Sequence, residues 1–371
     1  MILYGITYSR GSLDLLPFTK LTSNNPQQRI QAAYQTHRTN RNTQQKANLL
    51  APDFPGVTVD EILANLEDPS KPDYQDPRHC LVFWARPTAP VRKLIYEIQQ
   101  KLLEVAPCKC SFIEILFMIT RGKKRNNPTT PCPEKSSTTL YLPPQPPIPT
   151  KKSTHLTTQP ALWTMPQASL HMTALEINHS LTAPEITTLL SQFPASTLAK
   201  MANTTKTHRA RLVKPLLSYD SQALALSFLP AAGEPGLKGR PSADSVADKE
   251  SSQDAFTYHH LRRELFAQAT GAGVKVGSRY VVPSAHLTIA RFIVREPDFD
   301  LQRFVEVIER VNQWLVDEYW PKGEDGEECE VADGIKAGGE WVVGEEKGLE
   351  VRRGTLWYGS GGETVLLGDG F

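Results

Sequence analysis

The chain of 371 residues sets 41 Lys and Arg against 40 Asp and Glu, a formal charge of +1. No global field therefore steers it to nucleic acid or a membrane surface, and affinity for an anion has to come from a local site. A hydrophobic content of 40% suffices for a core, while the five irregularly spaced cysteines suit neither a disulfide framework nor a paired CxxC zinc site.

The start, "MILYGITYSRGSLDLL", lacks the basic and apolar regions of a signal peptide, and the longest apolar run, residues 110–120, is far short of the roughly 18 residues that span a bilayer. An intracellular protein with reduced thiols is expected, cytoplasmic or nuclear. We expect no membrane association, a monomer and no obligate protein partner.

Residues 1–78 are polar and read as an N-terminal extension, with a helix-like piece near 26–50. The run "CLVFWA" (80–85) is the first convincing strand. Val91, Leu94, Ile95, Ile98, Leu102 and Val105 then recur at helical spacing behind Pro90, a first-turn proline.

Between 108 and 160 the composition changes: 9 of the chain's 29 prolines fall here, and "PPQPPIP" forms neither helix nor central strand. The segment reads as a linker-like insertion. A ligand for a proline-binding module, which would make the chain an adaptor, is a lesser reading, and its basic "RGKKR" (121–125) goes with it. Cys108-Lys109 and Gln159 are also codable as splice donor and acceptor, so a translated intron is a second hypothesis; unspliced transcripts running from Pro107 to Ala161 would argue against it.

The strand "SLHMTALEI" (169–177) leads to a helix opened by Thr182 and Glu185 at capping-box spacing. Residues 208–230 read as two strands around a turn at Tyr219–Gln222, 231–253 as a flexible loop, and 255–270 as a helix. A strand region at 280–294, a helix after Asp300 and a C-terminal hairpin turning at Gly359–Gly362 complete the order. The domain is expected over 79–371, interrupted at 108–160 and 231–253, and its element order predicts an α+β protein with mainly antiparallel sheets.

Two strands share a pattern. His171-Met172-Thr173-Ala174 is echoed by His286-Leu287-Thr288-Ile289, 115 residues later. On a strand, residues i and i+2 project to one face, so each pair offers an imidazole and a hydroxyl to the same ligand. About one H-x-T is expected by chance, and the chain has four; those at His37 and His155 lack an apolar strand to hold them.

With these two motifs, and Arg291 in "HLTIAR", the chain resembles the two-histidine (2H) phosphoesterase superfamily, in particular the branch of RNA ligase-like and cyclic nucleotide phosphodiesterases. The resemblance covers roughly 79–107 and 162–370. It implies a bilobal fold, two pseudosymmetric halves with antiparallel sheets and outer helices around a central cleft. It also implies a phosphodiesterase without metal or other cofactor, acting on a cyclic phosphate of an RNA end or small nucleotide; ligase activity would be an inherited name.

The residue types fit that chemistry. Imidazoles titrate near neutrality, so His171 and His286 can divide the roles of acid and base, in an order the sequence leaves open. Thr173 and Thr288 can donate to non-bridging phosphate oxygens, and Arg291 can clamp them. Strict alternation puts Arg291 on the wrong face unless the strand ends or bulges near Ala290.

Trp357 and Tyr358 read first as core and second as a platform for stacking a base. His171, His179 and His286 lack metal-ligand spacing, and His259-His260 read as filler. The alternative from another class is a non-catalytic RNA or nucleotide-binding module that uses the same cleft.

Overall fold

The computed structural model describes residues 25–106, 161–234, 254–278, 282–321, 335–359 and 361–371. The chain divides into two units, 1–107 with 161–371, and 108–160. The second unit, with the expected proline-rich insertion, lies outside the described residues, as does most of the 231–253 loop.

The described part of the expected polar extension, from residue 25 on, contributes two helices to the domain. Asn25 caps helix α1 (Pro26–Leu49), accepting from Gln27 N at 2.9 Å, and Pro26 opens its first turn. Only a thin apolar stripe, Ile30, Tyr34 and Leu49, enters the main core. Arg38 is buried beside it and donates to the carbonyls of Lys214 at 2.7 Å and Ser227 at 3.4 Å. A short helix α2 (Glu61–Leu66) follows, capped by Asp60.

Two antiparallel sheets make an α+β fold in two halves. The first joins β1 (His79–Ala85), β3 (Met172–Leu181), β8 (Glu350–Gly354) and β9 (Gly362–Leu367) in the order β3-β1-β8-β9. The second joins β2 (Leu162–Thr164), β4 (Arg211–Tyr219), β5 (Ala223–Pro230), β6 (Ala285–Phe292) and β7 (Glu340–Val342) in the order β2-β6-β5-β4-β7. The expected strands and the C-terminal hairpin are present; the three-residue strands β2 and β7 are additions. Asp220 makes the β4–β5 turn by accepting from Gln222 N at 2.8 Å and Ala223 N at 2.9 Å.

Helix α3 (Ala89–Leu103) buries the predicted stripe of Val91, Leu94, Ile95, Ile98 and Leu102. Each such side chain is worth about 1.5–3 kcal/mol of transfer free energy. α4 (Ala183–Ser191) has the predicted capping box of Thr182 and Glu185, and it is followed by α5 (Ala195–Ala202) and α6 (Thr204–Thr207). α7 (Tyr258–Gly271) starts at a box made by Thr257 and His260, which gives that histidine a structural task. α8 (Leu301–Tyr319) is capped by Asp300 and packs along β4 and α3.

Among the described residues no helix is long and apolar enough to cross a membrane.

Candidate functional site

β3 and β6 belong to different sheets and approach each other where the halves meet. β6 carries one H-x-T motif, β3 starts directly after the histidine of the other, and each strand bulges at the residue after its threonine. On β3, Trp84 pairs with Thr173 but Phe83 pairs with Leu175, leaving Ala174 as the extra residue. On β6, Ala225 pairs with Thr288 but Leu224 pairs with Ala290, leaving Ile289 as the extra one.

A bulge resets the alternation. His286, Thr288 and then Arg291 therefore share the cleft face, and so do His171, Thr173 and Glu176; all six line one pocket of about 100 Å³. The condition that alternation set on Arg291 is met, one residue before Ala290.

The bulge on β6 has a buried support. Gln99, only 3% exposed on the apolar side of α3, donates from Nε2 to the carbonyls of Ile289 and Met165, each at 2.9 Å. Met165 N also donates to the Ile289 carbonyl. On β3, the Tyr258 hydroxyl donates to the Thr173 carbonyl at 2.9 Å, tying α7 to the first motif.

The two imidazoles are held differently. His171 Nδ1 lies 2.7 Å from the carbonyl oxygen of Ser169, an acceptor only, so Nδ1 carries the hydrogen and the neutral ring has its lone pair at Nε2. Its ring stacks on Trp84, with centroids 3.7 Å apart and planes 16° from parallel. Arg86 and Arg352 stand over Trp84 at 4.8 and 5.0 Å, and both bond Glu350. Burial, with smaller effects from Arg86 and Arg352, brings His171 down to about 3, against the Ser169 bond and Glu350.

His286 Nδ1 lies 3.0 Å from the hydroxyl of Ser284, which can donate or accept and so suits either form of the ring. Burial lowers this imidazole to about 4; Arg41, Arg262, His37 and Arg291 press the same way. The hydroxyls of Thr173 and Thr288 have no hydrogen-bond partner among the described residues and face the pocket.

Arg291 is 7% exposed and pairs with Asp60, Nη1 to Oδ2 at 3.3 Å, while its Nε has no partner among the described residues. Its charge is thus shared with the cap of α2. The Tyr358 hydroxyl donates to Asp60 at 2.6 Å and accepts from Arg78 at 3.0 Å, and its ring is 5% exposed beside Leu63 and Ile293. Tyr358 is therefore no stacking platform: it is core, outside the pocket lining. Trp357 does line the pocket, with the Arg78 guanidinium over its ring at 4.6 Å.

His179 lies edge-on to Trp357 at 5.7 Å, outside the pocket lining. Among the described residues no group of three or more His, Cys, Asp or Glu is placed to hold a metal ion.

Sequence reasoning missed Trp84 and Glu176. For Glu176 a signal existed: it stands five residues after His171, as Arg291 stands five after His286. Chemically, the site offers two neutral imidazoles, two open hydroxyls and a half-satisfied guanidinium to one small oxyanion. Comparison with family models finds no match, and comparison with curated proteins finds none.

Proposed function

We propose that this chain is a metal-independent phosphodiesterase of the two-histidine type, which opens a cyclic phosphodiester on an RNA end or small nucleotide. The observation that carries the reading is the convergence of both H-x-T motifs, from separate sheets, on one pocket.

In this mechanism water attacks phosphorus and passes its proton to Nε2 of His171, the nitrogen left basic by the Ser169 carbonyl. A phosphorus–oxygen bond to water forms as the bond to one ribose oxygen breaks. That oxygen takes a proton from His286, whose Ser284 neighbour tolerates both forms of the ring. Thr173 and Thr288 donate to the non-bridging oxygens, where charge builds up, and Arg291 adds positive charge.

The test is phosphorus NMR of 2',3'-cyclic nucleotides incubated with the protein and a chelator. A single monoester product, 2' or 3', is expected. Binding without opening would replace the enzyme by a non-catalytic nucleotide-binding module; neither binding nor opening would end both readings.

A further inference from the structure

We propose that Glu176 is a specificity-determining residue: its carboxyl accepts a hydrogen bond from the base of a nucleotide whose phosphate lies among the two histidines. The proposal rests on the phosphodiesterase reading for its substrate and on separate observations for its residue.

The first observation is the reversal of charge type at matching places. The bulges put Glu176 and Arg291 at the same step after their histidines and on the same pocket. A phosphate is drawn by a guanidinium and repelled by a carboxylate, so the pocket is polar from half to half. Its occupant needs an anion for one half and a neutral donor for the other.

The second observation is what surrounds the carboxyl. Glu176 pairs across the ladder with Val82, and Cys80 and Val82 present alternate side chains of β1 to the same pocket. Leu356 and Trp357, from the β8–β9 connection, complete an apolar wall. Among the described residues the Glu176 carboxyl has no hydrogen-bond or ion-pair partner. Burial raises Glu176 to about 7 and, aided by Glu176, the Cys80 thiol to about 12. Such a strip rejects a second phosphate and suits a flat ring with a donor on its edge, as a nucleobase has.

The experiment compares a nucleoside 2',3'-cyclic phosphate with glycerol 1,2-cyclic phosphate, which has the ester but no base. In Glu176→Leu the KM for the nucleotide should rise about tenfold, the value of one lost hydrogen bond to a carboxyl, with kcat nearly unchanged and the glycerol ester unaffected. Glu176→Gln, which keeps an acceptor, should restore most of the loss. Equal effects on both esters, or none, would overturn the assignment.

Should the parent open neither ester, the phosphodiesterase reading fails by itself. Glu176 is then decided by calorimetry with a nucleoside 3'-monophosphate and glycerol phosphate. Tighter binding of the nucleotide, lost in Glu176→Leu, supports the role; equal binding of the two overturns it.

Discussion

The turn at Ser169 is held from outside by Gly359: a β-carbon built on Gly359 would lie 2.2 Å from that of Ser169. The C-terminal hairpin thus packs closely against the residue whose carbonyl orients His171. Two segments distant in sequence, the turn that precedes β3 and the β8–β9 connection, meet beside one imidazole.

Gly359 also has φ +80°, which L side chains rarely adopt. Gly359→Ala should cost about 2–4 kcal/mol in denaturant unfolding, combining backbone strain and overpacking. Gly233→Ala, at φ +103° with nothing near the added carbon, should cost only about 1 kcal/mol. The folded Gly359→Ala protein should also lose activity that Gly233→Ala keeps, because only the former disturbs Ser169.

Asp60 both caps α2 and neutralises Arg291. Asp60→Asn keeps a good cap but leaves the buried guanidinium without its counter-charge, so stability should fall, by about 3 kcal/mol in denaturant unfolding. Inorganic phosphate should bind the variant more tightly, by about 1 kcal/mol or some fivefold in titration calorimetry, because a partly buried guanidinium has lost its counter-charge. Unchanged or weaker phosphate binding would place Arg291 outside the anion's reach.

Acidity should act on rate and stability in opposite directions. With His286 brought down to about 4 in the free protein, the fraction holding the proton for the leaving oxygen falls as pH rises beyond that value. kcat/KM should therefore decline towards alkaline pH, and kcat, read in the complex where phosphate favours the imidazolium, should decline at a higher pH. For stability, both imidazoles have folded values, about 3 and about 4, below their ordinary 6.5. The unfolded chain then binds more protons below about pH 6.5, so stability is complete above it and lost on acidification towards pH 3. Equilibrium unfolding between pH 8 and 4 measures this slope.

What the sequence makes legible follows from what is local. His171 with Thr173, and His286 with Thr288, stand out because strand alternation alone puts each pair on one face. The position of Arg291 is conditional, because the bulge at Ile289 depends on register with β5 and on Gln99, whose buried amide looks like one polar residue in a helix. α1 looks like a polar extension because few of its 24 residues are apolar and buried, and Arg38 is fixed by carbonyls far along the chain. β2 and β7 are three residues each, too short to show a period. Tyr358 and adjacent Trp357 look alike in sequence; only the packing against Asp60 and Leu63 separates core from pocket wall.

In the proposed mechanism both imidazoles act on one phosphate. Its most direct measurement is the rate of 2',3'-cyclic nucleotide opening, under chelation, by the parent, His171→Asn and His286→Asn, with folding checked by circular dichroism. Each variant should lose at least about a hundredfold, the scale of one acid or base. A correctly folded variant that keeps the parent's rate would contradict it.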